Sequence, residues 1–263
     1  MSPDVYPADL ERSLHAWHPR ARLDARLSGG YRNEIWRVQL HGHRLAARFS
    51  RRDPAALRWE VALLDYLDGA GFHVPRAVPS AAGETSIDGL VVVTWLEGEP
   101  PRDDEDWRRV VETLRRLHAA TTGWPQRPGF HSTRELLTER TGGDVQLDRM
   151  PEAAREAVRD AWRAIADEPV SVVHGDPGAG NIRIDRGRVG LIDWDESRVD
   201  ASILDLTAVP LPLDMDTDFG GERLRLARRA SDAWEAANGW TIEPEYARRR
   251  LRQLIDAAST TDD

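Results

Sequence analysis

Asp176, Asn181 and Asp193 lie within one short stretch, VVHGDPGAGNIRIDRGRVGLIDWD, at residues 172–195. A carboxylate such as Asp176 can take the proton of an attacking hydroxyl. Asn181, five residues on, and Asp193, twelve beyond that, offer oxygens that can hold magnesium against phosphate groups. The elements that must position them are legible nearby. Val170–Val173 reads as a short buried strand ending at His174, and Asn181–Ile184 and Val189–Ile192 are two apolar runs split by the turn Asp185-Arg186-Gly187. A strand, a loop with a base and a hairpin carrying a metal-binding Asp make a phosphoryl-transfer layout. Two plainer readings compete. Loop Asp and Asn residues often cap turns, and a His beside carboxylates can ligate a hydrolytic metal. The second would normally need two or more His at ligand spacing, and no His-x-x-x-His pair occurs.

This stretch resembles the aminoglycoside phosphotransferase and choline kinase superfamily, whose signature is H-G-D-x-x-x-x-N followed by I-D-[WF]-[DE]. Both halves are complete here, in His174-Gly175-Asp176 with Asn181, then Ile192-Asp193-Trp194-Asp195. Many members have His-Pro in the loop where this chain has Gly178-Ala179. The resemblance implies a protein-kinase-like α+β fold in two lobes. An N-terminal antiparallel sheet with one main helix (residues 1–98) would bind the nucleotide. A larger, mostly helical lobe (residues 99–263) would carry catalysis and the acceptor.

Bulk composition sets outer limits. A chain of 263 residues suits two lobes or one large domain. It has no cysteine, which excludes disulfides, zinc–thiolate sites and thiol catalysis. No apolar run approaches a membrane span, and the opening MSPDVYPADLERS lacks a charged-then-apolar signal pattern, so a cytoplasmic protein is expected. All 36 basic residues are Arg, so a phosphate-gripping role falls to a guanidinium, which can hold phosphate oxygens bidentately. The net charge of −9 is uneven. Residues 1–98 hold 12 Arg against 12 acids, and residues 99–263 hold 24 Arg against 33 acids. An acidic C-terminal part argues against nucleic acid and suits a cationic substrate, or else is a solubilising surface.

Along the chain, residues 7–18 suit a short helix, and Leu27-Ser28-Gly29-Gly30-Tyr31-Arg32-Asn33 opens a β-hairpin of Ile35–Val38 and Leu45–Phe49. The resemblance gives Gly29 and Gly30 a place near nucleotide phosphates, with Asn33, Trp36 and Val38 matching the same pattern. It makes Arg48 the basic phosphate residue, paired with Glu60 of an amphipathic helix at Ala55–Leu67; Arg44 is its rival. Thr85–Ile87 and Leu90–Leu96 read as the last strands of the first sheet. Thr94, Trp95 and Leu96 resemble the hinge that binds adenine, with Gly98 at the lobe boundary. Asp104–Thr121 is the clearest helix, with Trp107, Val110, Val111, Leu114, Leu117 and His118 on one face. Further helices are expected over Glu152–Ala166, starting at Asp200–Leu206, and over Glu222–Ala237 and Pro244–Ala257. Asp205 matches a family residue that braces the catalytic loop.

The resemblance therefore implies transfer of a phosphoryl group from ATP (or GTP), with Mg2+, to the hydroxyl of a small molecule. Asp176 would be the base, and Asn181 and Asp193 the metal ligands. Asp195 is either an outer acid or a second ligand, and Asp214, Asp216 and Asp218 are candidates for a cationic acceptor. The acceptor is open between an aminoglycoside-like antibiotic, which would make the role one of resistance, and choline, an amino sugar, homoserine or a peptide antibiotic. A protein kinase is disfavoured by the missing D-F-G and A-P-E-like motifs, and a non-catalytic ATP-binding protein by the complete Asp176, Asn181 and Asp193.

Overall fold

The computed structural model describes residues 7–27, 34–40, 42–210 and 221–259. The chain forms two compact units, Met1–Glu99 with Arg183–Ile192, and Pro100–Ile182 with Asp193–Asp263. The architecture is α+β, as expected. Among the described residues no helix is long and apolar enough to cross a membrane.

The first unit contains α1 (Pro7–Leu14), β1 (Arg22–Arg26), β2 (Glu34–Leu40), β3 (His43–Phe49), α2 (Pro54–Gly69) and β4 (Leu90–Thr94). The strands form an antiparallel sheet in the order β1-β2-β3-β4. Strand alternation turns Leu45 and Ala47 of β3 into an apolar cluster with Leu10, Leu14, Trp17, Val38 and Val92. Trp17 closes that cluster by donating its indole N–H to the Val78 carbonyl at 2.6 Å. The same alternation sends Arg48 to the other face, toward α2. That helix starts where the Asp53 carboxylate accepts the Ala55 N–H at 2.7 Å and Pro54 occupies the first turn.

Two details of this unit differ from expectation. β1 reads as the polar string RLDAR, which carries little strand signal, yet it pairs along β2. Thr85–Ile87 forms no strand, only a single bridge between Ile87 and Leu90 around the turn Asp88-Gly89. The residues before it are gathered instead by Ser80, whose hydroxyl accepts the N–H of Glu84 at 3.1 Å and of Ala82 at 3.3 Å.

The second unit begins with α3 (Asp104–Ala120), capped by the Asp103 carboxylate on the Asp106 N–H at 2.9 Å. There follow a two-residue ladder of β5 (Thr141–Gly142) and β6 (Val145–Gln146), then α4 (Glu152–Arg163) and β7 (Val170–Val173). The chain then makes a hairpin of β8 (Ile182–Asp185) and β9 (Arg188–Leu191), and resumes with β10 (Arg198–Ala201), α5 (Gly221–Asn238) and α6 (Pro244–Ser259). From Arg183 to Ile192 the hairpin belongs to the first unit, where Ile184 exchanges backbone hydrogen bonds of 2.7 and 3.1 Å with Glu99. Leu191 likewise donates to the His73 carbonyl at 3.0 Å.

The second unit's core joins Val158 and Trp162 of α4, Ala230, Ala233 and Trp234 of α5, and Leu254 of α6. Trp162 donates its indole N–H to the Ala230 carbonyl at 3.2 Å, so the buried ring keeps its polar atom paired. The helix expected from Asp200 is replaced by strand and then a 3₁₀ segment, Ser202–Ala208. Asp200 explains the change. Its buried carboxylate accepts from Thr133 N–H and hydroxyl at 3.0 and 2.6 Å and from Arg198 at 2.9 Å, which holds its backbone extended beside Ser171 of β7.

Candidate active site

β7 delivers the chain to His174, which is fully buried, and the next residues are fixed from below by Asp205. The Asp205 carboxylate accepts the backbone N–H of His174 at 2.9 Å and of Gly175 at 3.0 Å, and lies 2.9 Å from His118 Nε2. Burial pushes this carboxyl up, but the His118 hydrogen bond, the charges of His118 and His174 and the Gly175 N–H outweigh it and hold it below the ordinary range. An ionised Asp205 thus clamps two successive amides of the loop. His118, half-buried in the last turn of α3, touches the loop's anchor through this carboxylate.

Gly175 has φ +91°, and a Cβ there would lie 2.5 Å from the Glu196 carbonyl oxygen. Both facts exclude a side chain, since left-handed backbone costs roughly 1–2 kcal/mol and the clash adds more. Gly175→Ala should lower the unfolding free energy by about 2 kcal/mol or more. Urea denaturation checks this, and an unchanged midpoint would show that the loop tolerates a side chain.

Beyond Gly175 the Asp176 side chain is exposed and Pro177 is buried. Asn181, at the end of the 3₁₀ turn Ala179–Asn181, reaches back with its amide nitrogen. It donates to the Asp176 carbonyl and to Asp176 Oδ2, both at 2.9 Å. Two donor bonds fix which way the amide faces and turn its oxygen away from Asp176. The Asp176 carboxylate is held by one oxygen, and its Oδ1 remains an acceptor.

Asp193 directly follows the β8–β9 hairpin, with φ +63°, a conformation uncommon outside Gly but best tolerated by Asp and Asn. Its Oδ1 is buried. Trp194, 1% exposed, packs against His174 with tilted rings whose centroids lie 4.7 Å apart, which ties Asp193's neighbour to the start of the Asp176 loop. Asp195 and Glu196 are buried too, and Glu196 accepts from the Asn238 amide of α5 at 2.9 Å.

In the first unit, Arg48 and Glu60 form the expected ion pair; both are buried, at 7% and 4% exposure. Arg44, the rival cation, pairs instead with Glu97 at 2.7 Å and lies over the Trp95 ring at 5.9 Å. Thr94 pairs with Leu45 of β3 and donates its N–H outside the sheet, to the Arg76 carbonyl at 2.9 Å. After it, Leu96, Glu97 and Gly98 make no backbone hydrogen bond among the described residues, and pairing returns only at Glu99. Gly98, at φ +128°, would place a Cβ 2.7 Å from the Ile184 oxygen, so the backbones meet only because no side chain intervenes. Gly29, Gly30, Asp214, Asp216 and Asp218 lie outside the described residues.

A profile of the APH family, described as the phosphotransferase enzyme family, matches residues 25–257. The chain belongs to this phosphotransferase family. Solved structures give it the protein-kinase-like fold of such enzymes. A thermostable mutant of aminoglycoside phosphotransferase APH(4)-Ia, in apo form, superposes with a TM-score of 0.71 at 13% identity, over 95% of this chain and 99% of that one. The microcompartment-associated aminopropanol kinase gives 0.66 at 15% identity, over 94% of each chain. Amicoumacin kinase hAmiN, in complex with AMP-PNP, Ca2+ and Ami, gives 0.59 at 17% identity, over 95% of this chain and 85% of that one. No curated protein matches the chain in sequence.

In this phosphotransferase no three His, Cys, Asp or Glu side chains cluster as a metal cage among the described residues. Magnesium does not require one, because it is usually bound through one or two protein oxygens together with phosphates and water. The outward amide oxygen of Asn181 and the carboxylate of Asp193 are hard donors of the right kind. One residue that the sequence did not mark is Arg127, 0% exposed, whose guanidinium reaches the segment that follows Asp193. It stands in no motif and binds backbone carbonyls, which carry no sequence signature.

Proposed function

We propose that this phosphotransferase is a small-molecule kinase that moves the γ-phosphoryl group of ATP (or GTP) to a hydroxyl of a small, cationic acceptor. The observation that carries the reading is the Asn181 grip on Asp176, which leaves one carboxylate oxygen open on a loop clamped by Asp205. Asp176 orients the acceptor hydroxyl and takes its proton late, as phosphoryl transfer with a loose transition state requires. Arg48, steadied by Glu60, holds phosphate oxygens, and the backbone of Gly29 and Gly30 adds N–H donors. The stretch from Thr94 through Trp95 and Leu96 receives the nucleobase, its unpaired backbone groups at Leu96–Gly98 supporting that role. Asn181 and Asp193 are the residues that would hold Mg2+, which when bound neutralises charge developing on the phosphates. On this reading the first unit serves the nucleotide and the second serves catalysis and the acceptor.

The charge of the second part motivates the cationic acceptor. Residues 99–263 carry the whole net −9, including Asp214, Asp216 and Asp218, and a field of that sign speeds encounter with a cation. Two structural neighbours are named for amino-bearing substrates, an aminoglycoside phosphotransferase and an aminopropanol kinase. Nucleotide consumption against a panel of aminoglycosides, amino sugars and amino alcohols tests the reading. The best acceptor should show a KM that rises as ionic strength goes from about 0.02 to 0.3 M, a range over which screening shortens severalfold. A neutral or acidic best substrate, or a flat salt response, would show that the acidity is only surface. No consumption with any hydroxyl acceptor would overturn the kinase reading itself.

A further inference from the structure

The chain leaves the first unit at Ile192 and enters the second at Asp193. Within the second unit, the residues immediately after Asp193 are gathered by one nitrogen. Arg127 Nη1 donates to the carbonyls of Trp194 at 3.1 Å, Asp195 at 2.9 Å and Ser197 at 3.1 Å, and lies 3.4 Å from the Ser197 hydroxyl. Ser197 tightens the same turn, with its N–H and hydroxyl donating to the Trp194 carbonyl at 3.1 and 2.6 Å. The guanidinium carbon of Arg127 sits 4.7 Å above the Phe130 ring, and the side chain is wholly buried.

We propose that Arg127 is a positioning residue for the metal site, acting as an internal cation that folds Trp194–Ser197 into a carbonyl cradle and thereby sets the direction of the Asp193 carboxylate. The inference rests on the kinase reading of Asp193. Three carbonyl dipoles converging on one point repel one another unless a positive group stands among them, and the Arg127 guanidinium fills that place. The cradle starts at the residue bonded to Asp193, whose backbone is left-handed at φ +63°. It also seats Trp194 against His174, linking the carboxylate to the loop that bears Asp176. Removing the cation lets the turn open, and the carboxylate loses its fixed aim before the fold is lost. Ligand-orienting partners of this kind typically change metal affinity about 10–100-fold.

The test compares Arg127→Met, which keeps length without charge, with Arg127→Lys, which returns one cationic nitrogen. Calorimetry with a non-hydrolysable ATP analogue, with and without Mg2+, gives the metal-dependent increment in affinity, and thermal melting reports folding. Arg127→Met should lose about 10–100-fold of that increment while metal-free nucleotide affinity stays within twofold, and Arg127→Lys should recover most of the loss. A folded Arg127→Met with an unchanged increment overturns the inference, as does equal impairment in both variants, which would make the role one of packing. If Arg127→Met does not fold, Ser197→Ala replaces it, and an unchanged increment there overturns the proposal. Asp193→Asn is the control. If it leaves the increment intact, the metal reading of Asp193 has failed; if it abolishes the increment while the Arg127 variants do not, only the present inference has failed.

Discussion

Asp176→Asn should keep the fold and nucleotide affinity while losing about 10²–10⁴ in kcat, the usual cost of removing a positioned general base. The substitution is nearly isosteric. An Asn at 176 can still present a carbonyl oxygen to the Asn181 amide, and the Asp176 backbone carbonyl, the other acceptor, is untouched. The clamp beneath the loop is also unaffected, since it runs from Asp205 to the N–H groups of His174 and Gly175. What disappears is an oxygen able to take a proton. Thermal melting and nucleotide calorimetry should therefore match wild type when steady-state turnover does not. Wild-type turnover in this variant would remove Asp176 from the reaction.

Asp193→Asn should cost the Mg2+-dependent part of nucleotide affinity more than about 10²-fold, since even outer partners of a ligand cost about 10–100-fold. Asn is the informative replacement because, like Asp, it accepts the left-handed backbone found at φ +63°. The variant thus isolates the charge, whereas Ala would add backbone strain. Metal-free nucleotide binding should persist, because Arg48 and Glu60 are elsewhere in the chain and keep their ion pair. Calorimetry with and without Mg2+ separates the two, and equal MgATP affinity in the variant would refute the role of Asp193.

The segment around Asp176 was legible because its grammar is local. A strand, a loop and a hairpin follow one another within residues 170–192, so apolar runs and turn residues mark each boundary. The Arg48–Glu60 pair was legible for a related reason: a strand Arg and a helix Glu twelve residues apart match a known arrangement, and the alternation of β3 supplies the direction. Asp205 was named through resemblance, and the structure supplies what it does, two amides and His118 gathered by one carboxylate. β1 was missed because RLDAR pairs through its backbone while its side chains look like those of a loop. Asp200 misled for the opposite reason. Its carboxylate is spent on Thr133, Arg198 and its own backbone neighbourhood, contacts from distant chain segments that override local helix preference. Arg127 was invisible because its partners are carbonyls 67 to 70 residues away.

The placement of the β8–β9 hairpin bears on the order in which the protein is made. The first unit is not finished when Glu99 is synthesised, because Ile184 and Leu191, which pair with Glu99 and His73, come far later in the chain. A nascent chain of the first hundred or so residues therefore has its N-terminal sheet, but His73 and Glu99 do not yet have their backbone partners. The pairings that complete it are long-range, and such contacts cost loop closure before they give anything back. The first unit to begin is thus completed only after about half of the second has been translated.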